Sequence, residues 1–331
     1  MPRAVLIGGT GMIGRAAARA LAADGWEVVA VSRSGTLPDG LAELGVEAAV
    51  ADRADDARLR AVIGSGADAV LDTVAFTREH GEQLNALAGL VGSLIVISSA
   101  SVYADDEGRA LDGEGEPPDM PVPILETQPT AEPGDATYST RKAELEQTLL
   151  QGPLHSTLLR ACAIHGPGAK LPREVFFVKR AVDGRRRVAL AWEGESRFHT
   201  TSVANLAELI RLAAANPGDR ALNAGDPDPP TTLEICRAIG AALEHEFEPV
   251  LLPEDGYDNP WAAPKPKPFV VSMEAAKREL GYRPVTTYPE AVKETCAWLV
   301  GELEQGRSWD GTYLEGMLDY AAEDEALASQ P

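Results

Sequence analysis

The stretch "AVLIGGTGMIG" near the N-terminus limits the possible folds more than any other. Residues 4–9, "AVLIGG", form a short, wholly apolar run that ends in glycines, the pattern of a strand buried on both faces. Gly8, Gly11 and Gly14 follow at G-x-x-G-x-x-G spacing, and "MIGRAAARALAADG" then reads as a helix closed by Gly25. Glycine allows the tight turn and the close approach of backbone to a pyrophosphate, while a helix N-terminus offers free N–H groups to it. Three spaced glycines mean little in a chain holding 31, but their place between the first strand and the first helix is specific.

Strand and helix go on alternating. "WEVVAVS" (26–32), a run near 46–51, "DAVLDTVA" (68–75) and "SLIVISS" (93–99) read as strands. "RADDARLRAVIGSG" and "REHGEQLNALAGL" read as helices between them. The alternation predicts an α/β fold, a Rossmann-type doubly wound parallel sheet with a smaller C-terminal α/β substrate domain. Expected boundaries are 1–165, with a returning segment near 201–225, for the nucleotide-binding domain, and 166–200 with 226–331 for the substrate domain. After residue 104 an acidic stretch rich in Pro and Gly reads as a long loop, of the kind that is functional or mobile. A helix over 138–150, a strand "STLLRAC" (156–162), a Pro-rich loop "PEDGYDNPWAAPKPKPF" and helices near 287–303 complete the reading.

The formal charge of −21 in 331 residues argues against nucleic acid or an anionic membrane as main partner, though not against a small anionic ligand. No apolar run reaches the roughly 20 residues that span a bilayer, and the N-terminus lacks the apolar core of a signal peptide. Cys162, Cys236 and Cys296 are far apart and without ligand spacing, so a cytoplasmic chain with no structural metal is expected.

The end of the second strand distinguishes the two dinucleotides. An acidic side chain there bonds the ribose 2′-OH of NAD and repels a 2′-phosphate. Here stand Ser32, Arg33 and Ser34, two hydroxyls and a guanidinium suited to a phosphate. The reading favours NADP, with NAD possible. Asp52 is a candidate contact for the adenine amino group, or equally a cap for the helix that follows.

"YSTRK" places Tyr138 and Lys142 four apart on one helix face. A phenol with an unperturbed pKa near ~10 is a poor base at neutral pH, and a nearby ammonium lowers that value. The pair suits proton transfer at a carbinol or ketone. Ser99, in "ISSASVY" at a strand's C-terminal end, can donate a hydrogen bond to a carbonyl oxygen as charge develops on it.

These motifs together resemble the extended short-chain dehydrogenase/reductase family, also called the NAD-dependent epimerase/dehydratase family, over nearly the whole chain. The resemblance rests on "GGTGMIG", "AD" (51–52), "TVA" (73–75), "SSASVY", "YSTRK" and "LRACAIHGPG". "SVANLAELI" (202–210), "LNAG" (222–225) and "AKRELGYRP" (276–284) extend it toward the C-terminus. It implies that Ser99 and Tyr138 hold the substrate oxygen, that Lys142 holds the nicotinamide ribose and tunes the tyrosine, and that the protein is a homodimer. Implied cofactor contacts are Gly8, Thr10, Gly11, Met12, Ile13, Gly14, Ser32, Arg33, Asp52, Arg53 and Ala75, with Tyr138 and Lys142.

Departures from the family pattern narrow the substrate. Dehydratases of the family carry an Asp-Glu pair after the Ser/Thr, and this chain reads Ser99-Ala100-Ser101, so a 4,6-dehydratase is not expected. UDP-sugar epimerases usually have Asn where Ala163 stands, Asn-Leu where Lys170-Leu171 stands, and Arg-Asp in place of Arg197-Phe198-His199. Ser101, Ala163, Lys170, Arg197 and His199 are therefore the candidate substrate contacts. The basic cluster over 170–187 either focuses an anionic substrate or is a helix face that pairs with the acidic remainder. Cys162 reads as a small core residue and Trp261 as a pocket wall or a loop anchor. His165 reads as a residue that packs beneath the cofactor.

The expected activity is an NAD(P)-dependent oxidoreductase or isomerase (epimerase) that moves hydride at a carbinol or ketone carbon of a sugar-nucleotide-like or other polar small molecule. One alternative is an NADPH-dependent reductase of a non-nucleotide ketone or aldehyde. Another is a non-catalytic dinucleotide sensor or RNA-associated member, which the acidic charge and the intact Ser99, Tyr138 and Lys142 oppose.

Overall fold

The computed structural model describes residues 1–38, 40–253, 257, 259–261 and 268–328. Most of the Pro-rich loop noted above, 254–256, 258 and 262–267, lies outside them, as do residues 329–331 of the acidic tail. The chain begins β1 (Arg3–Ile7), α1 (Met12–Ala23), β2 (Glu27–Ser32), β3 (Glu47–Val50), α2 (Asp56–Ile63), β4 (Ala67–Asp72), α3 (Arg78–Asn85) and β5 (Val91–Ser99). After the acidic loop come α4 (Tyr138–Leu150), β6 (Ser156–Ala161), β7 (Ala163–His165), α5 (Val175–Val182), β8 (Arg187–Leu190) and β9 (Thr200–Ser202). Next follow α6 (Val203–Ala215), β10 (Arg220–Ala224), α7 (Thr232–Ala242) and β11 (Glu248–Leu251). The helices α8 (Glu274–Leu280), α9 (Tyr288–Glu304), α10 (Glu315–Leu318) and α11 (Tyr320–Ala328) close the chain.

Two compact units emerge. The first comprises Met1–Cys162, Val203–Ala224 and Val271–Val285, and the second comprises Ala163–Ser202, Gly225–Val270 and Thr286–Pro331.

The first unit is built on a parallel sheet of seven strands in the order β10-β6-β5-β4-β1-β2-β3. This is the doubly wound Rossmann-like sheet expected from the alternation. Its central strands are buried on both faces, which explains why "AVLI" and "LIVI" lack alternation. Val5, Val29, Val70, Leu94, Val96 and Leu158 on the strands pack with Leu145 and Leu149 of α4 in one core. Strand order reverses between β1 and β4, so their C-terminal ends flank the crevice where such sheets bind ligands. Strand β4 stops at Asp72 rather than 75, because Asp72 accepts the N–H groups of Val74 (2.7 Å) and Ala75 (2.8 Å) and turns the chain out of the ladder.

The second unit holds two small parallel pairs, β11 with β8 and β7 with β9, and a core of Phe176, Phe177, Leu190, Ile235, Trp261 and Leu299. Trp261 is fully buried and stacks on Phe177, with ring centroids 5.5 Å apart, so it anchors its loop. No helix among the described residues is long and apolar enough to cross a membrane.

Candidate active site

The glycine loop is shaped by contacts that leave no room for side chains. Gly8 has φ +79°, and a Cβ there would lie 2.3 Å from Thr73 Oγ1. At Gly14 a Cβ would lie 2.3 Å from the Gly8 oxygen, which lets α1 pack directly on the turn. Gly11 differs: its nearest neighbour, the Gly8 oxygen, is 3.4 Å from a Cβ, so the site faces open space. Gly11 is the N-cap of α1, no side chain caps the helix, and no acidic residue stands in its first turn. The first-turn amides from Met12 and Ile13 onward are therefore suited to an anion such as a pyrophosphate. Thr10 lies within the same turn.

At the end of β2, the Ser32 hydroxyl accepts the Gly35 N–H (3.0 Å) and shapes the following bend. Arg33 is exposed and makes no ion pair among the described residues. Asp52 does not cap α2. Its carboxylate accepts the N–H of Ala54 (2.9 Å), while Asp55 is the cap and accepts from Arg58 (2.9 Å). Arg53 does not face outward. It is buried, paired with Asp72 at 3.0 Å, and donates to Gln83 and to the His80 carbonyl.

Ser99, Tyr138 and Lys142 stand together at the C-terminal end of β5. Thr137 caps α4: its hydroxyl accepts the Thr140 N–H (3.3 Å), and the Thr140 hydroxyl accepts the Thr137 N–H (2.9 Å). The helix therefore starts at Tyr138 and sets both Tyr138 and Lys142 on one face. Tyr138 keeps 46% of its surface exposed, which leaves a phenol able to meet a ligand. Partial burial pushes that phenol above its ordinary value, a hydrogen bond with Ser99 opposes the rise, and the charge of Asp112 adds to it. The Lys142 ammonium is turned to the carbonyls of Ala75 (2.8 Å) and Ile97 (2.9 Å), and burial brings it down to about 8 against the pull of Asp72 and Glu146. The Ser101 hydroxyl donates to Ser99 Oγ at 2.9 Å. Phe76 packs against the Tyr138 ring at 5.3 Å between centroids.

The remaining candidates belong to the second unit. Ala163 is in β7, and Lys170 is exposed. Arg197 donates to the Pro229 carbonyl and lies 3.7 Å from Glu234. His199 is buried against the Asp226 carbonyl (2.8 Å), and its ring fills the space a Cβ at Gly225 would need. His165 is buried beside Asp226 (3.2 Å) and the Tyr288 ring (4.9 Å). Cys162, expected in the core, closes the first segment of the first unit and is partly exposed just beyond β6. The basic segment is largely neutralised within its own unit. Lys179 pairs with Asp183, Arg180 and Arg185 with Glu323, Arg185 with Asp324, and Arg186 with Glu246 and Glu248. These pairs run from α5 into the turn that follows it, where Arg185 and Arg186 stand.

Two neighbours of the site escaped the sequence. Asp72 shapes the turn that presents the Ala75 carbonyl to Lys142. Asp112, in the acidic loop, accepts from the Ser139 N–H (2.9 Å) and the Thr137 hydroxyl (3.2 Å) at the start of α4. Asp72 reads as one more residue of a strand and Asp112 as one more acid in an acidic loop, so no signal in the sequence pointed to either contact.

The fold and the glycine loop define a protein of the Rossmann-like class. A family profile described as the NAD dependent epimerase/dehydratase family matches residues 4–225, and the chain belongs to that family. Among solved structures it is similar to UDP-N-acetylglucosamine 4-epimerase from Bacillus cereus, with a TM-score of 0.70 at 17% identity over 91% of this chain and 100% of that one. It is also similar to UDP-glucose 4-epimerase from Thermotoga maritima, with a TM-score of 0.68 at 17% identity over 91% of this chain and 99% of that one. The dTDP-glucose 4,6-dehydratase from Bacillus anthracis, solved in complex with NAD, gives 0.66 at 17% identity over 92% and 98%. No curated protein sequence matches the chain.

Proposed function

We propose that this protein is an NADP-linked enzyme that moves hydride at a carbinol or ketone carbon of a polar small molecule. The observation that carries the reading is the meeting of Ser99, Tyr138 and Lys142 at the end of β5. The first unit holds the cofactor and the second binds the substrate. A nicotinamide supplies or takes the hydride. Tyr138, held protonated, donates its phenolic proton to the substrate oxygen or takes it back, and Ser99 holds that oxygen by a hydrogen bond. Lys142 keeps a cation beside the site and has a third N–H left for a ribose hydroxyl beyond the two it gives to Ala75 and Ile97. The residues of the glycine loop fit a dinucleotide, because the uncapped α1 terminus and the open Gly11 face suit a pyrophosphate. Arg33, exposed where an NAD-selective site carries an acid, supports NADP. Ala100 and Ser101 after Ser99 offer no carboxylate for elimination, which favours a reductase or epimerase over a dehydratase.

The test is a screen of sugar nucleotides and simple ketones against NADPH and NADH, followed by cofactor fluorescence. Net NADPH oxidation with free exchange of cofactor identifies a reductase, whereas tightly held cofactor with interconversion of epimers identifies an epimerase. With either activity, Tyr138→Phe should lower turnover by about 100-fold or more. Wild-type turnover in that variant overturns the reading. The reading carries with it a homodimer, which sedimentation of the purified protein checks.

A further inference from the structure

The acidic loop between β5 and α4 is a folded excursion with its own fastenings. At its neck, Ala104 N–H bonds to the Pro129 carbonyl (2.9 Å), and the Gln128 side chain donates to the Ala104 carbonyl (2.7 Å). Within it, the buried Asp105 carboxylate receives the N–H groups of Glu107 (3.1 Å), Arg109 (2.9 Å) and Asp119 (2.8 Å), and the Arg109 guanidinium (2.7 Å). Burial alone would raise that carboxyl, but these donors bring it down to about 2, so it stays an anion that gathers the loop at any ordinary pH.

This folding delivers Asp112 to the first turn of α4. One carboxylate oxygen accepts the Ser139 N–H, a group the helix itself leaves without an acceptor, and the other accepts the Thr137 hydroxyl. The contact spans the residues on either side of Tyr138. We propose that Asp112 is a positioning residue for Tyr138, fixing the start of α4 through its bonds to the residues on either side of the phenol-bearing one. The proposal rests on the reading of Tyr138 as the proton carrier. Among the described residues, the charged groups around that phenol are Asp112 from the loop and Arg141 and Lys142 from its own helix, with the neutral Ser99 hydroxyl at the end of β5 as a hydrogen-bond partner. Both cations are drawn to the Phe76 ring, at 5.8 Å and 5.7 Å from its centroid, and Lys142 is also held by backbone carbonyls. Burial is the main cause that raises the phenol, and the charge of Asp112 adds to it.

The experiment uses the full chain and no substrate. Protein labelled with 13C at the tyrosine ring gives the Tyr138 titration, assigned by its loss in Tyr138→Phe. Amide exchange followed by NMR gives the opening of the Ser139 N–H. Asp112→Asn, which keeps an acceptor but removes the charge, should lower the pH at which Tyr138 titrates. Asp112→Ala, which removes both, should speed exchange at Ser139 by about tenfold. If either quantity stays at its wild-type value, the assignment fails. Neither measurement depends on turnover, so the catalytic role of Tyr138 is judged separately by the activity of Tyr138→Phe.

Discussion

Arg53 and Asp72 form an ion pair at 3.0 Å in which the carboxylate is fully buried. The same carboxylate turns the chain through the N–H groups of Val74 and Ala75, and the Ala75 carbonyl receives the Lys142 ammonium. A change at Asp72 therefore reaches Lys142 through one turn of backbone. Asp72→Ala leaves Arg53 as a buried charge without its partner, and should cost about 3–5 kcal/mol in urea unfolding. It should also lower the Lys142 titration further, because Asp72 is the larger of the two charges that raise it.

Lys142 itself makes stability depend on pH. Burial takes its ammonium from 10.5 to about 8 in the folded protein. Between those values the unfolded chain binds the extra proton, so this group makes stability rise with pH across that window. Below it the full penalty of holding a buried cation is present. Urea melts at pH 7 and pH 10 should show wild type gaining up to about 3 kcal/mol relative to Lys142→Met. A difference that stays constant with pH would mean the lysine titrates normally.

The glycine loop separates packing from binding. An alanine at Gly14 drives its Cβ into the Gly8 oxygen at 2.3 Å and the Gly9 Cα at 2.6 Å, and should cost about 3 kcal/mol. Gly11 has φ −73° and ψ 174°, open to any residue, and space around its Cβ. Gly11→Ala should stay within about 1 kcal/mol of wild-type stability. It should nonetheless weaken NADPH binding by about tenfold, because the methyl holds a pyrophosphate off the backbone. Thermal melts and NADPH fluorescence titrations on the two variants read the two effects.

How much of this was legible in the sequence depended on whether a requirement is local. Gly8 answers to a left-handed backbone turn, Gly14 to sterics within that turn, and Tyr138 and Lys142 to helical spacing, so all four stood out. The ion pair of Arg53 was not legible, because its partner Asp72 stands 19 residues further on, at the end of β4. Asp112 is 26 residues before Tyr138 in a stretch whose many acids look alike. The basic segment was ambiguous for the same reason: Glu323, which takes Arg180, is 143 residues away.

Arg33 gives a direct test of cofactor choice. Its guanidinium is exposed at the end of β2, and a 2′-phosphate is the ligand group it suits. Arg33→Ala should weaken NADPH binding by about 10- to 100-fold and leave NADH binding within about a factor of two. Equal losses for the two cofactors would show that Arg33 stacks on a part they share. No loss for either would leave it a solvent-facing residue.

In the second unit, Arg180 and Glu323 are both fully buried and paired at 3.0 Å. Arg180 also donates to the Phe176 carbonyl (2.7 Å) and the Tyr257 hydroxyl (2.9 Å), and Glu323 accepts the Ala189 N–H (3.2 Å). The pair ties α11 to α5 and β8, so the C-terminal helix is part of the fold of this unit rather than an appendage. Glu323→Ala strands the guanidinium in the core and should cost about 3–5 kcal/mol, whereas Arg180→Met with Glu323→Leu should recover most of that loss. Urea unfolding of wild type, both single variants and the double variant measures the coupling. A single-variant cost below about 1 kcal/mol would mean that water reaches the pair and that α11 is held by its apolar contacts alone.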